Sequence, residues 1–271
     1  MWDLLILNPF VNVLLLIYTL VKNFGLAIIL FTLLIRLITH PLMVQQIKGA
    51  TAMQDMQKDK RWLEIQKKYK DDREKLAQEQ MKFYKEIGYN PFSSCLPTVI
   101  QLPLIFALYQ SINAALAATP LDLMHLTQRI YPGFINVAAL LPMQSKFLWM
   151  DLSLPERLYL PFLPTFGIPV IAILVVISTY LQQKLMTPTT PPSGDGADAS
   201  AGMMKAMNLY MPFLMGWIAL SYSSGLSLYF LAGNIIGILQ YAALGRVNWR
   251  NVIPSQLLPS AAKTNSSKKA K

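Results

Sequence analysis

Cysteine, histidine and charge are all scarce in this sequence of 271 residues. The single cysteine, Cys95, excludes an intramolecular disulfide framework and a cysteine metal cluster. It reads as a small apolar residue at a helix entrance. Two histidines, His40 and His125, do not make a metal-ligand set, so no metal site and no cofactor are expected. No glycine-rich phosphate loop is present, and ATP hydrolysis therefore finds no motif. The start lacks a basic n-region, with Asp3 where one would stand, and does not read as a cleaved signal peptide. Only 14% of residues are charged, where a soluble domain carries about a quarter.

What is present is apolar. Hydrophobic residues make up 54% of the chain, and charges crowd into residues 45–90 and the last thirty positions. That distribution belongs to an all-α membrane protein. Five spans are expected, the first over 24–44, the second over 91–116 and the third over 162–186. The fourth and fifth lie within 207–245 as a tight hairpin across Ser223-Ser224-Gly225. Ahead of them, residues 1–23 hold an apolar run from Phe10 to Val21. It falls short of the ~20 residues that cross a bilayer. Asn8, Asn12, Thr19 and Asn23 recur along it, so an outer-face interfacial helix with its polar stripe toward water is expected.

The connections differ sharply in charge. Residues 45–90 hold eleven Lys and Arg, and the tail 246–271 holds six with no acid. The long connection 117–161 holds three, balanced by Asp122, Asp151 and Glu156. The positive-inside rule then puts 45–90, 187–206 and the C-terminus in the cytoplasm, and the N-terminus and 117–161 outside. The net charge of +10 is accounted for by topology and anionic lipid, so no specific nucleic-acid sequence is expected as a partner. Residues 187–202 read as a flexible linker. Residues 45–90 are rich in helix formers and read as a charged helical hairpin. Met53, Met56, Leu63 and Tyr69 mark one face, and Leu76, Gln80, Phe83 and Ile87 the other. Asp71-Asp72-Arg73-Glu74 turns the chain and caps its second helix.

Arg36 stands out. It lies inside an apolar run, about eight residues from the cytoplasmic end of the first span, or roughly 12 Å at helical rise. An arginine facing lipid at mid-span costs on the order of 3 kcal/mol, and no span offers it an acid. Two resolutions are open: the side chain snorkels to the inner headgroups, or it faces a hydrated cavity among the spans. Gln101 and Tyr109 on the second span, and Tyr229 and Asn234 on the fifth, are candidates to line such a groove. Each could equally bond between packed helices.

An ordered set of short motifs accompanies these features. Asn8-Pro9 opens the first helix, and Asn23-Phe24-Gly25 precedes Leu34-Ile35-Arg36. Gln66-Lys67-Lys68-Tyr69 lies in the charged hairpin. Gly88-Tyr89-Asn90-Pro91 leads to Cys95-Leu96-Pro97 and Gln101-Leu102-Pro103. Phe147-Leu148-Trp149 with Asp151-Leu152-Ser153, Leu181-Gln182-Gln183-Lys184, Tyr210-Met211-Pro212 and Gly225-Leu226-Ser227-Leu228-Tyr229 follow. In this order they resemble the YidC family of membrane protein insertases, with its mitochondrial and chloroplast relatives, from Asn8 to about Gly245. The resemblance implies a five-span core whose groove opens to the cytoplasm and to lipid, with Arg36 matching the family's groove arginine. It implies nascent membrane proteins as substrates, the ribosome and the Sec translocon as partners, and a bacterial plasma membrane or a thylakoid as location. Two departures stand out: Ser223-Ser224 where the family's outer turn usually has proline, and Phe230 where tryptophan usually follows the tyrosine. The first questions the rigidity of the turn.

Rival classes fit less well. A secondary transporter should show internal repeats, and none is visible. An intramembrane protease would need a base beside Ser224, but the expected topology puts His40 on the opposite side of the bilayer, and nothing orients His125. No enzyme is expected. A specialised assembly factor for membrane complexes remains the nearest alternative.

Overall fold

The computed structural model describes residues 2–45, 47, 59–69, 72–86, 92–116, 120–133, 143–160, 163–186, 198–245 and 247. A π-helical turn, Asp3–Leu7, runs directly into α1 (Asn8–Val21), followed by α2 (Phe24–Ile38). Next come α3 (Lys60–Lys68), α4 (Arg73–Glu86), α5 (Phe92–Leu116) and α6 (Pro120–Arg129). Two small antiparallel hairpins follow, β1 (Lys146–Phe147) with β2 (Met150–Asp151), and β3 (Leu158–Leu160) with β4 (Leu163–Ile168). The last helices are α7 (Val170–Met186), α8 (Asp198–Ser221) and α9 (Ser224–Ala243). The chain is mostly helical.

One apolar core joins α1, α2, α5, α7 and α9 through buried Val11, Leu14, Phe24, Ile28, Leu108, Ile112, Ile171 and Leu226. Outward from it, Leu20, Leu37, Phe213, Trp217 and Leu239 are exposed on helix surfaces, a distribution that suits lipid rather than water. Among the described residues, two helical runs have the length and hydropathy to cross a membrane, Asp3–Val21 and Ser224–Ala243. Four shorter apolar helices accompany them, at Phe24–Ile38, Ile105–Leu116, Val170–Met186 and Leu209–Ser221.

The structure corrects three expectations. The first helical run takes in Leu4–Leu7 ahead of the Phe10–Val21 stretch, so it has 19 residues. Of its polar stripe, Asn12 does not face water, while Asn8, Thr19 and Asn23 are partly exposed. Asn12 is 1% exposed, and its amide donates to the carbonyls of Asn8 and Arg129 while accepting the Tyr131 N–H. A buried amide is tolerated because all its groups are bonded. Second, residues 163–168 of the expected third span are strand β4, and α7 begins only after Pro169. Pro164 and Pro169 bias the residues before them away from helix. Third, the connection expected over 187–206 is helical from Asp198 onward. Its remainder, residues 187–197, and the tail 246–271 lie outside the described residues except Val247.

The Asn12 bonds carry a prediction. Asn12→Leu removes the acceptor of the Tyr131 N–H and a donor to Arg129, an uncompensated loss worth about 1–3 kcal/mol. The thermal midpoint of the purified protein in detergent micelles should fall below that of the wild type. An unchanged midpoint would show that these bonds contribute nothing net.

Helix α3 packs on α4 through Trp62, Phe83 and Tyr84, with Ile65 and Leu76 against them. The Trp62 and Phe83 rings stack at 6.0 Å. Both helices begin on an aspartate cap, Asp59 accepting from the Arg61 N–H and Asp72 from the Lys75 N–H, as orphan N–H groups require. Those bonds from Lys75 hold the Asp72 carboxyl below its usual range. Met53, Met56 and Ile87 of the expected faces lie outside the described residues, and nothing is said of the Gln80 side chain.

At the opposite end of the bundle the small hairpins clasp two helix starts. The carbonyls of Leu154 and Leu152 accept from the Ser224 and Gly225 N–H groups at 2.9 and 3.0 Å. The Ser224 hydroxyl donates to the Asp151 carbonyl at 2.6 Å. The Ser223 hydroxyl reaches Asn113, and that of Ser227 donates to the Ala219 carbonyl. Without a proline, this turn is held by hydrogen bonds from three sides. Gly225 fits closely there, since a Cβ would lie 3.1 Å from the Leu152 carbonyl and 3.0 Å from Ile112, which would have to give by a few tenths of an ångström. Glu156, 7% exposed, accepts the Ile171 N–H at the start of α7 and the Trp149 indole N–H. A carboxylate suits a helix N-terminus.

Candidate functional site

Helix α2 starts on Asn23, whose side chain accepts the Leu26 N–H. Its apolar run then buries Ala27, Ile28, Phe31 and Thr32 against the core. Arg36 lies one turn beyond Thr32 and is half-buried. Its guanidinium lies against α9, over two glycines one helical turn apart. A Cβ at Gly233 would sit 3.2 Å from Nη2 of Arg36, and a Cβ at Gly237 3.5 Å from Nη1. Gln182 of α7 closes the same place, its Nε2 standing 2.5 Å from a Cβ built on Gly237. Gln240 donates to the Arg36 carbonyl at 3.1 Å and ties α9 to α2 there. Tyr229 is buried on α9, one turn before Gly233.

None of the ion pairs seen among the described residues involves Arg36; they join Asp72 to Lys75, Glu79 to Lys82 and Asp3 to Arg129. A guanidinium with five N–H donors, set among apolar helices with no carboxylate of the described residues paired to it, has the chemistry to attract an anionic or polar group.

Asn234 and Tyr109, also expected as groove residues, have partners of their own. Asn234 is buried and donates to the hydroxyls of Ser178 and Thr179 at 2.9 Å each. It is an α7–α9 packing residue, about a quarter turn around the helix from Gly233. Tyr109 stacks edge-on against Tyr222 at 5.0 Å, toward the Ser223 end. There it lines a separate cleft of about 890 Å³ with Trp2, Asn113, His125, Tyr222 and Ser223. Gln101 belongs to α5, and its side chain lies outside the described part of the structure. Of the five candidates, Arg36 meets the α9 glycines, and Tyr229 lies one turn before Gly233 on the same helix.

Gly233, Gly237 and Gln240 were not singled out from sequence, and Gln182 entered only as part of the Leu181–Lys184 motif. Signals existed. Gly233 and Gly237 have the small-x-x-x-small spacing that lets helices approach closely, and Gln182-Gln183 is a polar pair at the end of an apolar run.

Comparison with known proteins follows the same lines. The family model described as the 60Kd inner membrane protein matches residues 16–250. The chain is 34% identical over 219 residues to the membrane protein insertase YidC of Clostridium perfringens (strain 13 / Type A), covering 80% of this chain and 76% of that protein. It is 34% identical over 242 residues to the membrane protein insertase YidC of Syntrophobacter fumaroxidans, covering 88% of this chain and 37% of that protein. The chain thus spans most of the first relative and little more than a third of the second. A solved structure of an active YidC insertase with its first transmembrane domain resolved is 27% identical, with a TM-score of 0.49, covering 84% of this chain and 44% of that one.

Proposed function

The chain belongs to the YidC family of membrane protein insertases, and from that membership we propose that it inserts nascent membrane proteins into the bilayer and assists their folding there. The observation that carries the reading is the Arg36 guanidinium, seated among apolar helices at Gly233 and Gly237 with no carboxylate of the described residues paired to it.

The work needs no covalent step. A substrate segment of about 20 apolar residues gains free energy on leaving water, about 25 cal/mol per Å². The barrier lies in moving its attached polar residues through ~30 Å of hydrocarbon without water. A hydrated groove around Arg36 shortens the dry path. Arg36 supplies the attraction for acidic residues of the moving tail, and Gln182 adds a neutral hydrogen-bonding partner. The segment then leaves sideways into lipid along the apolar helix faces.

In this reading the chain is a multi-pass protein of the bacterial plasma membrane. Five spans are formed around α2, α5, α7, α8 and α9, with the helix of residues 3–21 at the outer face. The Ser223 end is outside, and the helices α3 and α4 and the basic tail are cytoplasmic, as the charge asymmetry supports. The charged helices and tail would meet the ribosome, the Sec translocon and anionic lipid.

The test is complementation. A host depleted of its own insertase should regain insertion of a small single-span reporter with an acidic translocated tail when this chain is expressed. Failure of a well-expressed, membrane-integrated chain would overturn the general reading and leave a specialised assembly factor.

A further inference from the structure

The β1–β2 hairpin turns on two residues, Leu148 and Trp149, with Phe147 paired to Met150 across it. Leu148 has φ +56°, at a turn position that two-residue hairpins usually give to glycine. A branched residue in the left-handed region carries backbone strain. Packing does not offset it, because Leu148 is 74% exposed. Beside it, half-exposed Trp149 has its ring fixed by the hydrogen bond to Glu156 at 2.9 Å. Leu154, also exposed, continues the apolar tip, and exposed Lys146 stands at its base.

The tip is held at a definite level of the bundle. The Phe147 ring lies against Gly25 at the start of α2. Leu152 is fully buried, and the carbonyls of Asp151, Leu152 and Leu154 bond the first residues of α9. The tip therefore stands where two apolar helices begin. For helices in a bilayer that level is the boundary between acyl chains and headgroups, where tryptophan is enriched and a lysine finds phosphate. Leu26, next to the Gly25 that Phe147 touches, begins an exposed apolar row on α2 with Leu30, Leu33 and Leu37.

We infer that Leu148, Trp149 and Leu154 form a lipid-inserted anchor, which dips into the headgroup–acyl boundary of the leaflet at the Ser223 end and fixes the depth of the bundle. Leucine rather than glycine occupies the strained position because its side chain is solvated by lipid. The inference rests on the membrane placement proposed above and not on insertase activity.

The experiment uses the full chain in vesicles of phosphatidylethanolamine and phosphatidylglycerol, with no other protein. Retention of the protein through an alkaline carbonate wash reads the placement separately from the anchor. In a Cys95→Ser background, Leu148→Cys or Lys75→Cys carries an environment-sensitive fluorophore. The label at 148 should be quenched by lipids brominated near the headgroup and shielded from aqueous iodide, and the label at 75 the reverse. Iodide quenching at 148 equal to that at 75 would overturn the anchor, as it would if the tip served a protein partner. A second variant separates anchor from fold. Leu148→Gly should leave the thermal midpoint in detergent unchanged or a few degrees higher. It should roughly halve bromolipid quenching of a label at Leu154→Cys, since an apolar side chain is lost from the interface. A lower midpoint with unchanged quenching would show that Leu148 serves the fold alone.

Discussion

Arg36→Ala should lower insertion of an acidic-tailed reporter by at least about ten-fold, the effect of ~1.4 kcal/mol lost at the barrier, while Arg36→Lys keeps most of it. The same alanine variant should be no less stable than the wild type. An unpaired guanidinium among apolar helices is a cost to the resting protein, and groups kept for function commonly reduce stability. Removing it also breaks no described side-chain ion pair, and the Gln240 bond goes to the Arg36 backbone carbonyl, which alanine retains. Stability and activity should therefore move apart. Lysine retains the charge but has one compact ammonium where arginine has a planar fork, so its deficit should grow with the number of acids in the translocated tail. Complementation with matched expression, paired with thermal unfolding in detergent, checks both halves. Equal rescue by all three chains would make the charge dispensable. A destabilised alanine variant would mean that Arg36 holds helices together instead.

The residue that carries this prediction was legible because a single arginine in an apolar run violates the energetics of a span, and the violation needs no neighbours to be seen. The helical class was legible for a similar reason, since long uncharged runs in lipid have few alternatives. The partners of Arg36 were not. Gly233 and Gly237 carry no chemistry of their own, and their role appears only when a second helix lies across them. Tyr109 and Asn234 were misplaced because one helix period gives the angle between faces and not the element each face meets. Asn12 misled differently. Its spacing matched a water-facing stripe, yet its amide had backbone partners 117 and 119 residues away. The third helix start failed locally: hydropathy ran through Pro164 and Pro169, whose backbone preferences outrank it over 163–168. The clasp on Ser223 and Ser224 explains how a turn that lacks the expected proline can still be fixed, by bonds from a segment about seventy residues earlier.

Gly237→Ala should reduce insertion about five-fold, the effect of a displacement costing ~1 kcal/mol, although helix propensity alone makes it stabilising by up to ~1 kcal/mol. The added Cβ would stand 2.5 Å from the Gln182 amide and 3.5 Å from Nη1 of Arg36. The glutamine is a flexible side chain and must move, and the place it leaves is the one beside the guanidinium. The thermal midpoint should therefore hold or rise while insertion falls, a combination that a weakened helix cannot produce. Gln182→Ala in the same chain makes room for the new methyl group and should restore most of the loss if the closeness of the two side chains is the cause. Restoration would place the effect in the wall of the groove. If Gly237→Ala alone inserts as well as the wild type, the glycine merely lets α9 pack against α7, and the guanidinium reaches its substrate without needing a bare stretch of helix beneath it.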